Sequence, residues 1–306
     1  MPKVILAAVL AAAVTLLAPT GSHAQPATQS EASRQAEMVA AWQAAAKAGT
    51  SGPAEIALVD QAVLKLPADS FFVPKIEGTR VLRALGNVVN ETTFVGLIVG
   101  TKQDSEWLVV TAYVSDGYIK DDDAKNWNAD ELLANLREGT AEANRDRVNR
   151  GFPELEVMGW MQKPFYDTDT HRLVWSLLAK HKGEPDNATR SVNYNTFALG
   201  RDGYFSLNLL SSSDRIAAER MFALKLLDNL TYNSGKRYED FDGATDHVAA
   251  YGLAALVGGA VVKKLGLFAL IGALAVKFGK LILVGALAAG AGVFRFFRRK
   301  PSSGPS

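Results

Sequence analysis

The sequence predicts an α+β fold: an antiparallel β-sheet ectodomain packed with helices, followed by a C-terminal transmembrane helix. Three observations carry this reading. Runs of β-branched and aromatic residues recur between Gly, Pro, Asn and Asp turn signals. Helical stretches with apolar stripes lie between those runs. From Val248 the chain turns almost wholly apolar and ends in a basic tail.

Charge divides along the same line. Residues 25–247 hold 24 Lys and Arg against 32 Asp and Glu, a net −8, whereas residues 248–306 hold 8 basic residues and no acid. An acidic body repels phosphate backbones, which argues against nucleic acid as a partner. The chain has no cysteine, which excludes disulfides, thiolate chemistry and Cys-based metal centres. His171, His181 and His247 are too scattered to suggest a metal site, and nothing points to a cofactor.

Residues 1–24 have the three parts of a signal peptide: Lys3, the apolar run Val4–Ala18, and small residues at Ser22 and Ala24. An uncleaved N-terminal anchor is the alternative. Residues 25–54 read as a lead-in helix and linker. Met38, Ala41, Trp42 and Ala45 form its stripe, and Gly49–Pro53 breaks it.

Residues 55–247 form the predicted periplasmic domain. Short strands are expected at Ile56–Val59, Ala62–Leu66 and Phe71–Val73, then a helix over Lys75–Leu85. Thr92–Val99 and Glu106–Val114 read as an antiparallel pair. Asn128 with Glu131 makes a capping-box-like start to a helix whose stripe is Leu132, Leu133 and Leu136, with a break expected near Gly139. A hairpin follows, Leu155–Met161 and Leu173–Leu178 flanking a loop over Lys163–Thr170. A register centred between Asp167 and Thr168 sets Trp160 opposite Trp175. Ser191–Leu199 and Tyr204–Leu210 flank the turn Gly200–Gly203. An amphipathic helix over Arg215–Leu230 offers Ile216, Met221, Leu224 and Leu227 to the sheet.

Residues 248–264 read as a membrane-proximal amphipathic segment, 265–294 as the transmembrane helix and 295–306 as a basic cytoplasmic tail. Lys277 and Lys280 interrupt the span. Each costs about 2.5–3.5 kcal/mol at mid-bilayer, which the Leu, Ile, Phe and Val around them offset at about 0.3–0.6 kcal/mol each. An ionisable residue in a span marks a helix–helix or headgroup contact, and Gly285 and Gly292 offer small faces for self-association or for another envelope protein. A two-span hairpin, with the tail outside, is the rival topology.

The chain resembles a bacterial family of membrane-anchored proteins, domain of unknown function 2167. Asp116–Asp123, Gly159-Trp160, Pro164-x-Tyr166-Asp167, Leu173-x-Trp175, Val192-Asn193-Tyr194, Leu199–Gly203 and Tyr251–Leu256 carry the resemblance over roughly residues 55–295. It implies a Gram-negative envelope protein and brings no catalytic residue or ligand with it.

The candidate surface for a ligand or partner is Trp160, Pro164, Tyr166, Asp167, Trp175, Arg201 and Asp202. Each residue has a structural alternative: the tryptophans as core, the aspartates as turn formers, and Arg201-Asp202 as part of a glycine turn. Asp121, Asp122 and Asp123 form an acidic cluster without calcium-loop spacing, so a solvated loop is the simpler reading. No catalytic residue is assigned. The expectation is a non-catalytic interaction or envelope-maintenance protein of the inner membrane, partnered by lipid. Alternatives are an envelope hydrolase working through Asp167, Tyr166 or the Asp121 cluster, and an accessory subunit of a membrane transporter.

Overall fold

The computed structural model describes residues 31–102, 105, 107–149, 153–185 and 189–258. The predicted signal peptide, the span at 265–294 with Lys277 and Lys280, and the basic tail lie outside these residues. Among the described residues no helix is long and apolar enough to cross a membrane.

Helix α1 (Glu31–Ala48) opens the described chain, and β1 (Thr50–Ser51), β2 (Ala54–Leu58), β3 (Ala62–Leu66) and β4 (Ser70–Pro74) follow. Next come α2 (Lys75–Ala84), β5 (Phe94–Gly100), β6 (Leu108–Val114) and α3 (Ala129–Asn149). Strands β7 (Leu155–Asp167), β8 (Arg172–His181), β9 (Ser191–Leu199) and β10 (Tyr204–Ser212) precede α4 (Ile216–Asp228), β11 (Leu230–Tyr232) and the short α5 (Ala255–Gly258). Eight strands form one antiparallel sheet in the order β1-β4-β5-β6-β10-β9-β8-β7, and β11-β3-β2 form a small second sheet.

Layers cover both faces of the large sheet, so its middle strands are buried almost throughout. On one face Ile98, Val109, Phe205, Leu207 and Leu209 meet Leu58 and Leu64 of the small sheet and Ile216, Ala223 and Leu226 of α4. Two separate apolar clusters occupy the opposite face. Trp42 of α1 and Leu82 of α2 pack with Phe71, Leu97 and Leu108. Farther along, Leu132 and Leu136 of α3 and Leu253 and Leu256 pack with Trp175, Phe197 and Tyr204.

The expected helix start at Asn128 is present. Its Oδ1 accepts the backbone N–H of Asp130 at 2.9 Å and of Glu131 at 3.4 Å, which satisfies donors that the first helical turn leaves unpaired. Gly139 is buried within α3 and does not break it, because one interior glycine costs a long helix only about 1 kcal/mol.

Several expectations change. Strand β7 continues through Pro164 to Asp167, so only Thr168–His171 remain between the strands. Register shifts along the pair set Trp160 opposite Leu177. The two indoles still meet edge to face, with ring centroids 6.1 Å apart. Ile216 and Leu227 of α4 are buried as expected and Leu224 is half-buried beside them, but Met221 is 62% exposed, and Ala223 and Leu226 complete the packed face. The lead-in helix carries the fully buried Trp42, and Thr50–Ser51 pairs with β4. Residues 248–258, read as membrane-proximal, bury Ala249, Leu253, Leu256 and Val257 in the domain core.

Candidate functional site

Four segments of the chain meet at one end of the large sheet. The turn after β7, the turn after β9, the loop leaving β6 and the chain from Gly235 to Ala254 come together there. Gly117 starts the arrangement. At φ +102° it takes a backbone conformation that side chains disfavour, and a Cβ there would lie 2.6 Å from the His247 carbonyl oxygen. The Tyr118 N–H donates to that same oxygen at 2.8 Å, and the Ala249 N–H donates to the Tyr118 carbonyl at 2.9 Å.

Tyr118 stacks on Tyr238 and on Phe241, with centroids 4.4 and 3.9 Å apart. His171, at the left-handed φ of +52°, stacks on Tyr238 at 4.0 Å. The Tyr166 hydroxyl donates to Asp121 Oδ2 at 2.8 Å and lies 3.1 Å from His171 Nδ1. His171 Nδ1 and Asp121 Oδ2 are 3.8 Å apart. A tyrosine has one proton, so with Asp121 as its acceptor the histidine nitrogen must donate to it. Burial, followed by the Asp121 hydrogen bond and charge, pushes the Tyr166 pKa far above its ordinary value. Tyr166 is therefore a fixed hydrogen-bond donor and does not supply a base. Tyr238 shifts the same way for the same leading cause, and its hydroxyl donates to the Ile119 carbonyl at 2.7 Å.

The three aspartates of the acidic cluster part company. Asp121 faces Tyr166, Asp122 is exposed, and Asp123 turns to the C-terminal segment. There its two carboxylate oxygens accept the N–H groups of Leu253 at 3.1 Å and Ala254 at 3.0 Å. The Tyr251 hydroxyl donates to Asp116 Oδ2 at 2.6 Å.

Asp167 organises its own turn, accepting the Thr170 hydroxyl at 2.8 Å and the Asp169 N–H at 3.0 Å. Those bonds hold its carboxyl below the usual range. Pro164 lies half-buried in β7, and the half-buried Trp160 donates its indole N–H to the Ala129 carbonyl at 3.1 Å. Trp175 is buried. Asp202 accepts from Lys236 Nζ at 2.8 Å, and Arg201 grips Asp246 with two bonds of 2.7 and 2.8 Å.

Asp121 and Tyr166 are thus brought together, while Asp167, Arg201, Asp202 and the tryptophans serve separate local ties. Tyr118, Tyr238, Phe241, Asp246 and the role of Asp116 had no local spacing that could reveal them. Among the described residues no three His, Asp or Glu side chains converge as a metal site.

Residues 50–288 match the model of the family described as "Protein of unknown function (DUF2167)". The chain belongs to the DUF2167 family. No curated protein matches it. Among solved structures it is similar to the solution structure of the cyanobacterial PsbP (CyanoP) from Synechocystis sp. PCC 6803, at 8% identity and a TM-score of 0.35, over 60% of this chain and 91% of that one.

In this DUF2167 protein the Arg201–Asp246 pair gives a pH prediction. The two-bond contact with Arg201, followed by the Asp242 backbone, lowers the Asp246 pKa from 3.8 to about 2. A carboxyl depressed in the folded state contributes stability that is complete above its unfolded pKa and is lost as pH falls through the folded one. Thermal midpoints of the wild type and Asp246→Asn should therefore differ most above pH 4 and converge toward pH 2. Parallel curves across that window would contradict the assignment.

Proposed function

We propose that this DUF2167 protein is an exported, non-catalytic binding protein. Its apolar C-terminal stretch holds it in a bacterial inner membrane, with the ectodomain in the periplasm and the basic tail in the cytoplasm. The ectodomain docks an extended segment of an envelope partner along one half of β7.

What supports docking is the unequal treatment of the β7 edge. Side chains of α3 cover its first half in place of a neighbouring strand. Asn144 exchanges two 2.8 Å bonds with the backbone of Leu155, and Arg137 donates to the carbonyls of Val157 and Met158. From Met161 to Phe165 no α3 side chain makes such a bond among those of the described residues, and Met161 and Phe165 are 41% and 61% exposed. An open strand edge offers main-chain hydrogen bonds to an extended peptide, with Pro164 contributing its carbonyl alone. Lys163, exposed between the two apolar side chains, favours a segment that combines apolar residues with a carboxylate.

The non-catalytic part of the reading rests on Tyr166, which is held protonated, and on carboxylates committed to Tyr166, backbone N–H groups, Arg201 and Lys236. The membrane part rests on the sequence: the signal-like start, the apolar stretch and Arg295–Lys300.

Co-purification from native membranes in mild detergent tests the docking, with the full-length wild type compared with Phe165→Asp. A partner recovered with the wild type should fall at least tenfold in the variant, since a carboxylate replaces the apolar contact and faces the partner's own acid. Equal recovery from both would sink the β7 docking site.

A further inference from the structure

Three polar groups are buried side by side with bonding capacity that the protein leaves unused. Asn208 on β10, Asn195 on β9 and Trp175 on β8 are register partners across adjacent strands, Asn208 opposite Asn195 and Asn195 opposite Trp175. Directly opposed residues share a face of the sheet. Their exposures are 3%, 0% and 1%. Among the described residues neither Asn208 Oδ1, Asn195 Oδ1 nor Trp175 Nε1 has a hydrogen-bond partner. Asn195 Nδ2 makes one long bond, 3.4 Å, to the Asn193 carbonyl. Turning that amide over would exchange the atom left without a partner and would not remove the need for one.

The row starts at Trp175 in one apolar cluster on this face, and Asn195 and Asn208 continue it into the seam between that cluster and the other. Phe197 and Tyr204 belong to one cluster, and Leu108 and Leu210 to the other. Apolar residues of similar shape would close the seam without any desolvation cost, whereas a buried polar group without a partner is strongly disfavoured. The row also contains no charged side chain, so an ionic ligand would have no counter-charge there.

We infer that Asn208, Asn195 and Trp175 bind two internal water molecules. The first donates one proton to Asn208 Oδ1 and the other to Asn195 Oδ1. The second accepts the Trp175 indole N–H and donates to the remaining lone pair of Asn195 Oδ1. Adjacent strands run about 4.8 Å apart, a gap that one bridging water spans with two hydrogen bonds. Low exposure shuts the row off from bulk solvent, so both waters are long-lived.

The test is water-to-amide magnetisation transfer on the full-length protein in detergent micelles, 15N-labelled at tryptophan, with the Trp175 indole assigned by Trp175→Phe. The wild type should show a cross-peak between water and the Trp175 indole proton with the sign of a long-lived water. Asn195→Leu should lose it, while the indole signals of Trp42 and Trp107 stay in place and report an intact fold. Asn208→Leu should retain it, because the second water keeps both its partners. No water cross-peak at the wild-type Trp175 indole overturns the inference, and so does a cross-peak that survives Asn195→Leu.

Discussion

Gly203→Ala should lower the stability of the protein by about 2–5 kcal/mol, combining backbone strain with overpacking. Gly203 sits at φ +154°, and an added Cβ would press into the Val114 carbonyl oxygen and the Ser115 Cα. Both obstacles are backbone, so no rotamer change relieves them. The Gly200 N–H donates to the Gly203 carbonyl at 2.7 Å, and the Gly117 N–H donates to the Asp202 carbonyl at 3.2 Å. Displacing this turn therefore also moves the loop that carries Tyr118 and Asp121. Urea unfolding of the full-length protein in detergent measures the loss. A change below about 0.5 kcal/mol, typical of a neutral surface site, would contradict the close packing described for this turn.

Trp42→Ala should cost about 3–5 kcal/mol, the range for truncating a fully buried tryptophan. Trp42 is 0% exposed, and Ala41 and Ala45 beside it are buried to the same degree. They pack in one cluster with Phe71, Leu82, Leu97 and Leu108, drawn from α2 and three strands. If α1 were only a linker, the same substitution would leave the unfolding midpoint unchanged. Urea titration followed by circular dichroism separates the two outcomes.

The legible parts of the fold were those written in local pattern. Asn128 and Glu131 fix a helix start within one turn, and Ser191–Leu199 and Tyr204–Leu210 alternate around a glycine turn that permits few alternatives. Elements whose sequence reports two environments at once were harder to read. In β7, Lys163 and Pro164 look like loop residues because this stretch is an edge strand, where a missing N–H on the outer side costs nothing and a charge meets water. Met221 fits the apolar period of α4 but lies just off the face that meets the sheet. Val248–Gly258 reads as membrane-leaning because a buried core segment and a lipid-facing one share a composition. At the candidate site only the short-range ties, Tyr166 with His171 and Asp167 with Thr170, lay within reach of a local reading. Asp116 and Tyr251 stand 135 residues apart, and Tyr166 and Asp121 45 apart, so only the folded sheet brings them into contact.

The attachment of Leu253 and Ala254 to Asp123, and of Tyr251 to Asp116, has a mechanical meaning under the proposed anchoring. Chain leaving the domain toward a bilayer is clamped to the loop that holds Asp121, with no slack stretch between the clamp and Gly258. Load applied from the membrane side would meet the buried Leu256 and Val257 first, then those few hydrogen bonds, which would pass it to the Tyr118–Asp123 loop. The domain would then ride on its anchor as a stiff bracket, its orientation set by the final buried turn.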